Sequence, residues 1–220
     1  MKSFYSFIAC SLIALTVSAQ NNSIGNNDPA AKKILDGVSA QFKTYKAIQA
    51  VFTLKVEDAK GKVQGIKKGT VYLKGQKYRV SITGQEIFCD GKTIWTYDKS
   101  TNEVTITAVD NSASSITPQK LFTNFYDKDF LYKLNGEQKE GNKTLQEIEL
   151  TPTDKTKNFH KVYVLVDKAT KNIYSTRILE KGGNKFSYTI NSFNGKAVVA
   201  DAMFVFDKAK FPGVEVVDLR

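Results

Sequence analysis

Over most of this chain, apolar residues recur at every second position, and glycine-bearing turns separate the runs. Ile48, Ala50, Phe52, Leu54 and Val56 share one face of an extended segment, while Gln49, Thr53, Lys55 and Glu57 share the other. A period of two marks a strand with one buried face and one solvated face. The pattern returns in Val71 and Leu73 against Thr70, Tyr72 and Lys74, and in Tyr78, Val80 and Ile82 against Lys77, Arg79 and Ser81. It returns again in Val104, Ile106 and Ala108 against Glu103, Thr105 and Thr107. Further strands are predicted over 145–150, 162–166, 173–179 and 186–190, with a last one from Met203 to Phe206. Asp58-Ala59-Lys60-Gly61, Asp90-Gly91, Lys181-Gly182-Gly183-Asn184 and Asn194-Gly195 supply hairpin turns, because glycine reaches positive φ at little cost. The chain is therefore predicted to be mainly β with some α, built on one antiparallel sheet of roughly ten or eleven strands.

Two segments switch to helical spacing. Asp28-Pro29 reads as an N-cap followed by proline in the first turn. Ala31, Ile34, Leu35, Val38 and Phe42 follow on one face, so a helix is predicted over 29–44. Gly37 inside it costs about 1 kcal/mol relative to alanine and suggests a close approach to the sheet there. Midway, Thr117-Pro118 precedes Leu121, Phe122 and Phe125, a short inserted apolar helix. A sheet this long must curl, and its apolar face must be covered. Helices closing the mouth of a curled sheet enclose an apolar interior. The pattern leaves open whether that interior is packed core or cavity.

The first nineteen residues point to export. Met1-Lys2 is followed by an apolar run from Phe4 to Val17 and by small residues at Val17-Ser18-Ala19, the layout of a cleaved signal peptide. Residues 20–27 read as a disordered leader, and 28–220 as a single domain. Without the signal peptide one cysteine remains, Cys89, so burial and sheet hydrogen bonds must hold the fold. The formal charge is +10, or +9 once Lys2 is removed. In an exported protein it does not indicate nucleic acid. Lysine spread along the whole chain fits solvated strand faces and guarded edges.

The inventory for catalysis is thin. His160 is the one histidine, no zinc-type spacing occurs, and no Gly-x-Ser-x-Gly elbow offers a nucleophile. Glu147 and Glu149 share a strand face, but neighbouring lysines make that a solvated surface. No cofactor, metal site or enzymatic role is expected.

A set of short motifs adds a resemblance. Asp90-Gly91-Lys92-Thr93-Ile94-Trp95-Thr96-Tyr97 resembles the Asp-Gly-Lys-x-apolar-Trp-x-Tyr hairpin of the outer-membrane lipoprotein carrier family, the LolA-like periplasmic chaperones. Ala50 to Val56 is similar to the family's first strand, and Gly69-Thr70-Val71-Tyr72-Leu73-Lys74 to its glycine-led third element. Phe204-Val205-Phe206 and Pro212-Gly213-Val214 resemble its C-terminal segments. The order and spacing match over essentially all of the mature chain.

The resemblance implies a half-barrel with helices as a lid, and a periplasmic carrier of acylated lipoproteins. Such a carrier takes its cargo from an inner-membrane lipoprotein-releasing ABC transporter and passes it to an outer-membrane acceptor, as a monomer and without cofactors. The expected lipid-binding cavity comprises Phe52, Leu54, Val56, Val71, Leu73, Tyr78, Val80, Ile82 and Trp95, the last either facing the cavity or anchoring its hairpin on the outer side with Tyr97 beside it. The expected lid comprises Ile34, Leu35 and Val38 on the first helix and Leu121, Phe122 and Phe125 on the inserted one. Two departures concern lid control. Where a well-studied branch places Arg-Pro after the third-element lysine, this chain has Gly75-Gln76, and the frequent Phe-Arg-Trp strand reads Tyr78-Arg79-Val80. An alternative role on the same half-barrel is a lipid-binding or envelope-stress regulatory sensor.

Overall fold

A computed structural model describes residues 27–110 and 126–220. The expected signal peptide, all but the last residue of the leader, and the inserted helix with Leu121, Phe122 and Phe125 lie outside the described residues. The described chain begins with α1 (Pro29–Lys43), close to its expected bounds. Six strands follow: β1 (Ile48–Glu57), β2 (Val63–Lys74), β3 (Lys77–Ile82), β4 (Gln85–Cys89), β5 (Thr93–Asp98) and β6 (Glu103–Ala108). The one-turn helix α2 (Tyr126–Asp129) leads into β7 (Phe130–Glu140), β8 (Lys143–Pro152), β9 (Phe159–Asp167), β10 (Ile173–Glu180) and β11 (Lys185–Asn194). After two short 3-10 turns comes β12 (Glu215–Asp218).

All twelve strands join one open, curled sheet in the order β12-β6-β5-β4-β3-β2-β1-β11-β10-β9-β8-β7. Every pairing is antiparallel except β12 with β6, which is parallel. Hairpin chemistry explains the meander. Gly91 (φ +97°) and Gly183 (φ +91°) sit at turns in the left-handed region, where a side chain would be strained. The structure differs from the sequence expectation in several places. Among the described residues the strand count is twelve. Strands β4, β7 and β12 went unread, β7 because from Asn135 onward its residues are largely polar and exposed. Met203 to Phe206 is not a strand: Asp201–Phe204 forms a 3-10 turn, because Phe204 must plug the sheet from outside and is fully buried there.

That turn belongs to a strap. After β11 the chain crosses the sheet face opposite α1 and ends as β12 beside β6. Phe204 packs with Ala47, Val199, Tyr72 and Met203. Phe206 and Phe211 stack with centroids 4.5 Å apart and cover Tyr97. Lys74 and Lys77 both reach the Asp201 carboxylate, at 2.7 and 3.0 Å. Lys74 thus ties the strap down, and Gly75 beyond it makes the turn to β3 at φ +56°.

On the other face, α1 lies over the β7–β10 half. Ala31, Leu35 and Val38 pack with Ile148, Leu150, Val162, Val164 and Val166. Asp28 caps the helix by accepting from the Ala30 and Ala31 N–H groups, and its second oxygen accepts from Leu134 N–H at 3.0 Å. Asn27 accepts from Tyr132 N–H, and Asp28 N–H donates to the Tyr132 carbonyl. The helix start is therefore laced onto β7, a strand at the sheet edge.

Candidate functional site

The same face continues past α1 across β1–β5 and β11, and its residues form cross-strand rows. Ile48, Leu73, Tyr78, Cys89 and Ile94 make the first row. Phe193, Ala50, Val71, Val80 and Ile87 make the second. Ile190, Phe52, Gly69 and Ile82 make the third. Tyr188, Leu54 and Lys67 follow, then Phe186, Val56 and Gly65. Strand parity forces these rows, since alternate residues of paired strands share a face.

Burial falls off along the rows. Leu73 and Cys89 are 3% and 1% exposed, whereas Leu54, Val80, Ile82, Ile87 and Ile190 are only half-buried. The first row is a closed floor, and the later rows are a half-open apolar wall. Lys67 and Gly65 end the apolar surface on β2. The third row has a built-in gap-filler. A Cβ on Gly69 would lie 2.5 Å from Phe52 Cζ and 2.8 Å from the Ser81 carbonyl oxygen. The Phe52 ring therefore lies on the glycine.

The tyrosine hydroxyls and the thiol of this wall stay uncharged at neutral pH. Burial pushes the Tyr78 hydroxyl well above its ordinary value, with Cys89 beside it adding to the effect. Burial likewise raises the Cys89 thiol, despite the Gly91 N–H and the Tyr78 hydroxyl that favour a thiolate. Tyr188 is raised by burial and then by Glu180. Desolvated groups of this kind favour their neutral forms, which suits an apolar guest.

The structure brings Phe52, Leu54, Val71, Leu73, Tyr78, Val80 and Ile82 into one cluster. Val56 lies on the same face, half-buried in the last row and outside the cluster. Trp95 is corrected. Ile94 pairs with Cys89 on the wall, so its neighbour Trp95 must point to the other face, where it packs with Tyr97, Val104, Phe206 and Phe211. Ile34, Leu35 and Val38 join the α1 cluster over β7–β10, not the wall. Sequence reading missed Ile87, Ile94, Tyr188, Ile190 and Phe193 as wall residues. The period-two pattern of 186–190 carried the signal for Tyr188 and Ile190.

Behind the wall, charged groups are paired. Arg79 donates to Glu86 at 2.7 Å and stacks over Phe88, and Lys99 reaches the other Glu86 oxygen at 3.0 Å. Burial would raise the Glu86 carboxyl, but the two cations outweigh it and hold the group below its ordinary value. His160 is exposed at the start of β9. Glu149 pairs with Lys161, and Glu147 accepts from Asn135. Among the described residues, no cluster of three or more His, Cys, Asp or Glu could hold a metal ion.

Comparison with known proteins fits this geometry. The family model described as outer membrane lipoprotein carrier protein LolA matches residues 43–207. A relative from Cupriavidus necator, named outer-membrane lipoprotein carrier protein, is 31% identical over 142 residues, covering 61% of this chain and 65% of its own. The match thus spans just under two thirds of that relative. An uncharacterized conserved protein from Thermus thermophilus superposes with a TM-score of 0.58 at 16% identity, covering 86% of this chain and 99% of its own. The Mycobacterium tuberculosis lipoprotein LppX gives 0.51 at 12%, covering 79% and 100%. These two solved structures share the fold.

Proposed function

The chain belongs to the family of the outer membrane lipoprotein carrier protein LolA, and on that footing we propose that it shields the acyl chains of lipoproteins against the β1–β5 and β11 wall and carries them between membranes. The family is one of carriers, not of enzymes. The observation that carries the reading is the half-buried apolar wall of Leu54, Val80, Ile82, Ile87 and Ile190, which α1 leaves to the rest of the chain. Each methylene taken from water contributes about 0.8 kcal/mol, so acyl chains do not cross an aqueous space unshielded.

In this proposal residues 1–19 are a cleaved signal peptide, 28–220 form one domain, and the mature chain works in the periplasm as a monomer. It receives lipoproteins from an inner-membrane lipoprotein-releasing ABC transporter and hands them to an outer-membrane acceptor. Phe52, Leu54, Val56, Val71, Leu73, Tyr78, Val80 and Ile82 contact the chains. The segment containing Leu121, Phe122 and Phe125 closes over them.

The test is a soluble complex with a triacylated lipopeptide, separated by gel filtration. The wild-type chain should retain it. Leu54→Asp and Val80→Asp should retain at least about tenfold less, with unchanged far-UV circular dichroism. Undiminished retention by folded variants would show that the wall is not the site. Failure of the wild-type chain to retain the lipopeptide would end the carrier reading.

A further inference from the structure

A hollow lies on the same face but under α1, away from the wall. Its volume is about 380 Å³, and Ala30, Ile34, Leu134 and Val166 give it an apolar lining. That size lies at the lower end of small-molecule sites, roughly 300–1,000 Å³. Lys33, Lys168 and Lys171 also line it. Lys168 is shared with Glu137 at 2.8 Å. Among the described residues, neither Lys33 nor Lys171 has a carboxylate partner.

Two local departures from ordinary sequence choice meet at this hollow. Gly37 sits inside a helix, where alanine would be about 1 kcal/mol better. A Cβ there would lie 3.3 Å from Lys171 Cδ, so the missing side chain makes room for the lysine stem. Lys171 itself adopts φ +57°, a conformation that glycine or asparagine reaches at lower cost. Its backbone is fixed by a 2.7 Å bond from Lys171 N–H to the Asp167 carbonyl. A helix glycine and a left-handed lysine together place one ammonium beside an apolar hollow. Violations of local preference that share a location mark function more often than chance.

We propose that this hollow binds an amphiphile with one aliphatic chain and an anionic head, a carboxylate or a phosphate. The chain lies against Ile34, Leu134 and Val166, and the head meets Lys33 and Lys171, with Lys168 beside them. The proposal does not rest on the carrier reading, because it uses the other half of the face and none of the wall residues.

Amide NMR titration of the full mature chain tests it, with dodecanoate, dodecyl phosphate, dodecanol and dodecyltrimethylammonium as probes below their micelle concentrations. Both anions should bind saturably, shifting the Gly37, Leu134 and Val166 amides. The neutral and cationic probes should bind at least about tenfold more weakly. Lys33→Gln/Lys171→Gln should weaken both anions at least about tenfold and leave dodecanol unchanged. Gly37→Leu should block all binding while the melting temperature holds or rises, since it adds helix propensity. A stronger response to dodecanoate than to dodecyl phosphate, or the reverse, identifies the head group. Equal binding of all four probes, indifference to the lysine variants, or shifts confined to Val80 and Ile82 would overturn the proposal. Leu54→Asp should leave this titration intact even where it abolishes lipopeptide retention.

Discussion

Gly69 and Phe52 should be energetically coupled, and the coupling can be worked from the geometry. The added Cβ of Gly69→Ala would meet Phe52 Cζ at 2.5 Å, Phe52 Cε1 at 2.9 Å and the Ser81 carbonyl oxygen at 2.8 Å. The ring, only 6% exposed, can move only by giving up its packing, and the carbonyl belongs to the β2–β3 ladder and cannot move. Overpacking of this kind costs about 1–3 kcal/mol, and three contacts this short place the variant near the top of that range. For a chain of this size about 1 kcal/mol moves the melting temperature by about 2–4 °C, so a drop of about 5–10 °C is expected. Phe52→Ala, which empties a site 6% exposed, should cost about 3–5 kcal/mol. The double variant should be more stable than the sum of the two losses by about 1–2 kcal/mol, because the ring that the methyl would strike is gone. Urea unfolding of the four proteins measures this. Additivity within about 0.5 kcal/mol would refute the placement of the ring on the glycine.

Asp28→Ala should destabilise the chain by about 2 kcal/mol in the same assay, since it removes the helix cap and strands the Leu134 N–H. Stability should also fall with acid. The Leu134 N–H holds the Asp28 carboxyl below its ordinary value. Burial would raise Glu86 and Asp167, but their cations and N–H donors outweigh it. Folded values below unfolded ones give stability that is fully present above the ordinary carboxylate range and lost as pH falls through the lowered values. The melting temperature should therefore drop steadily below about pH 5, and a flat profile from there to about pH 3 would contradict the pairings. Cys89, 1% exposed with its thiol raised by burial, should react with Ellman's reagent at least about a hundredfold more slowly in the native chain than in denaturant.

The wall was legible from the sequence because period two is enforced by the pleat. Once Phe52 and Leu54 share a face, pairing carries Val71, Leu73, Tyr78 and Val80 onto it. The helix start was legible from Asp28-Pro29, which signals its own cap. Trp95 was not settled by its hairpin motif, since which side of a strand an aromatic takes depends on register with β4. The strap was misread as a strand because Phe204 and Phe206 alternate like one. Only the packing of each onto the outer face, into separate clusters, shows otherwise. Strand β7 hid because an edge strand needs little apolar content. Gly37 announced a close approach to the sheet, but the partner is the Lys171 side chain in the β9–β10 turn, remote in sequence and hence invisible to pattern.

The last prediction concerns α1, whose Ile34, Leu35 and Val38 were expected to move as a lid. Lifting the helix would expose Ala31, Leu35 and Val38, which are 0, 5 and 6% exposed. Burial of a leucine and a valine alone is worth about 1.5–3 kcal/mol each. The lacing of Asn27 and Asp28 to β7 adds about 1 kcal/mol per bond, and the Tyr126 hydroxyl donates to Asp36 at 2.7 Å. The sum approaches about 8–10 kcal/mol, against the few kcal/mol at which a minor open state is usefully populated. The helix is therefore expected to act as a fixed wall over β7–β10. Hydrogen exchange decides it. The α1 amides from Lys33 to Gln41 should exchange only with global unfolding, in step with β8 and β9. Exchange of α1 at loop-like rates while those strands stay protected would restore the helix to the lid.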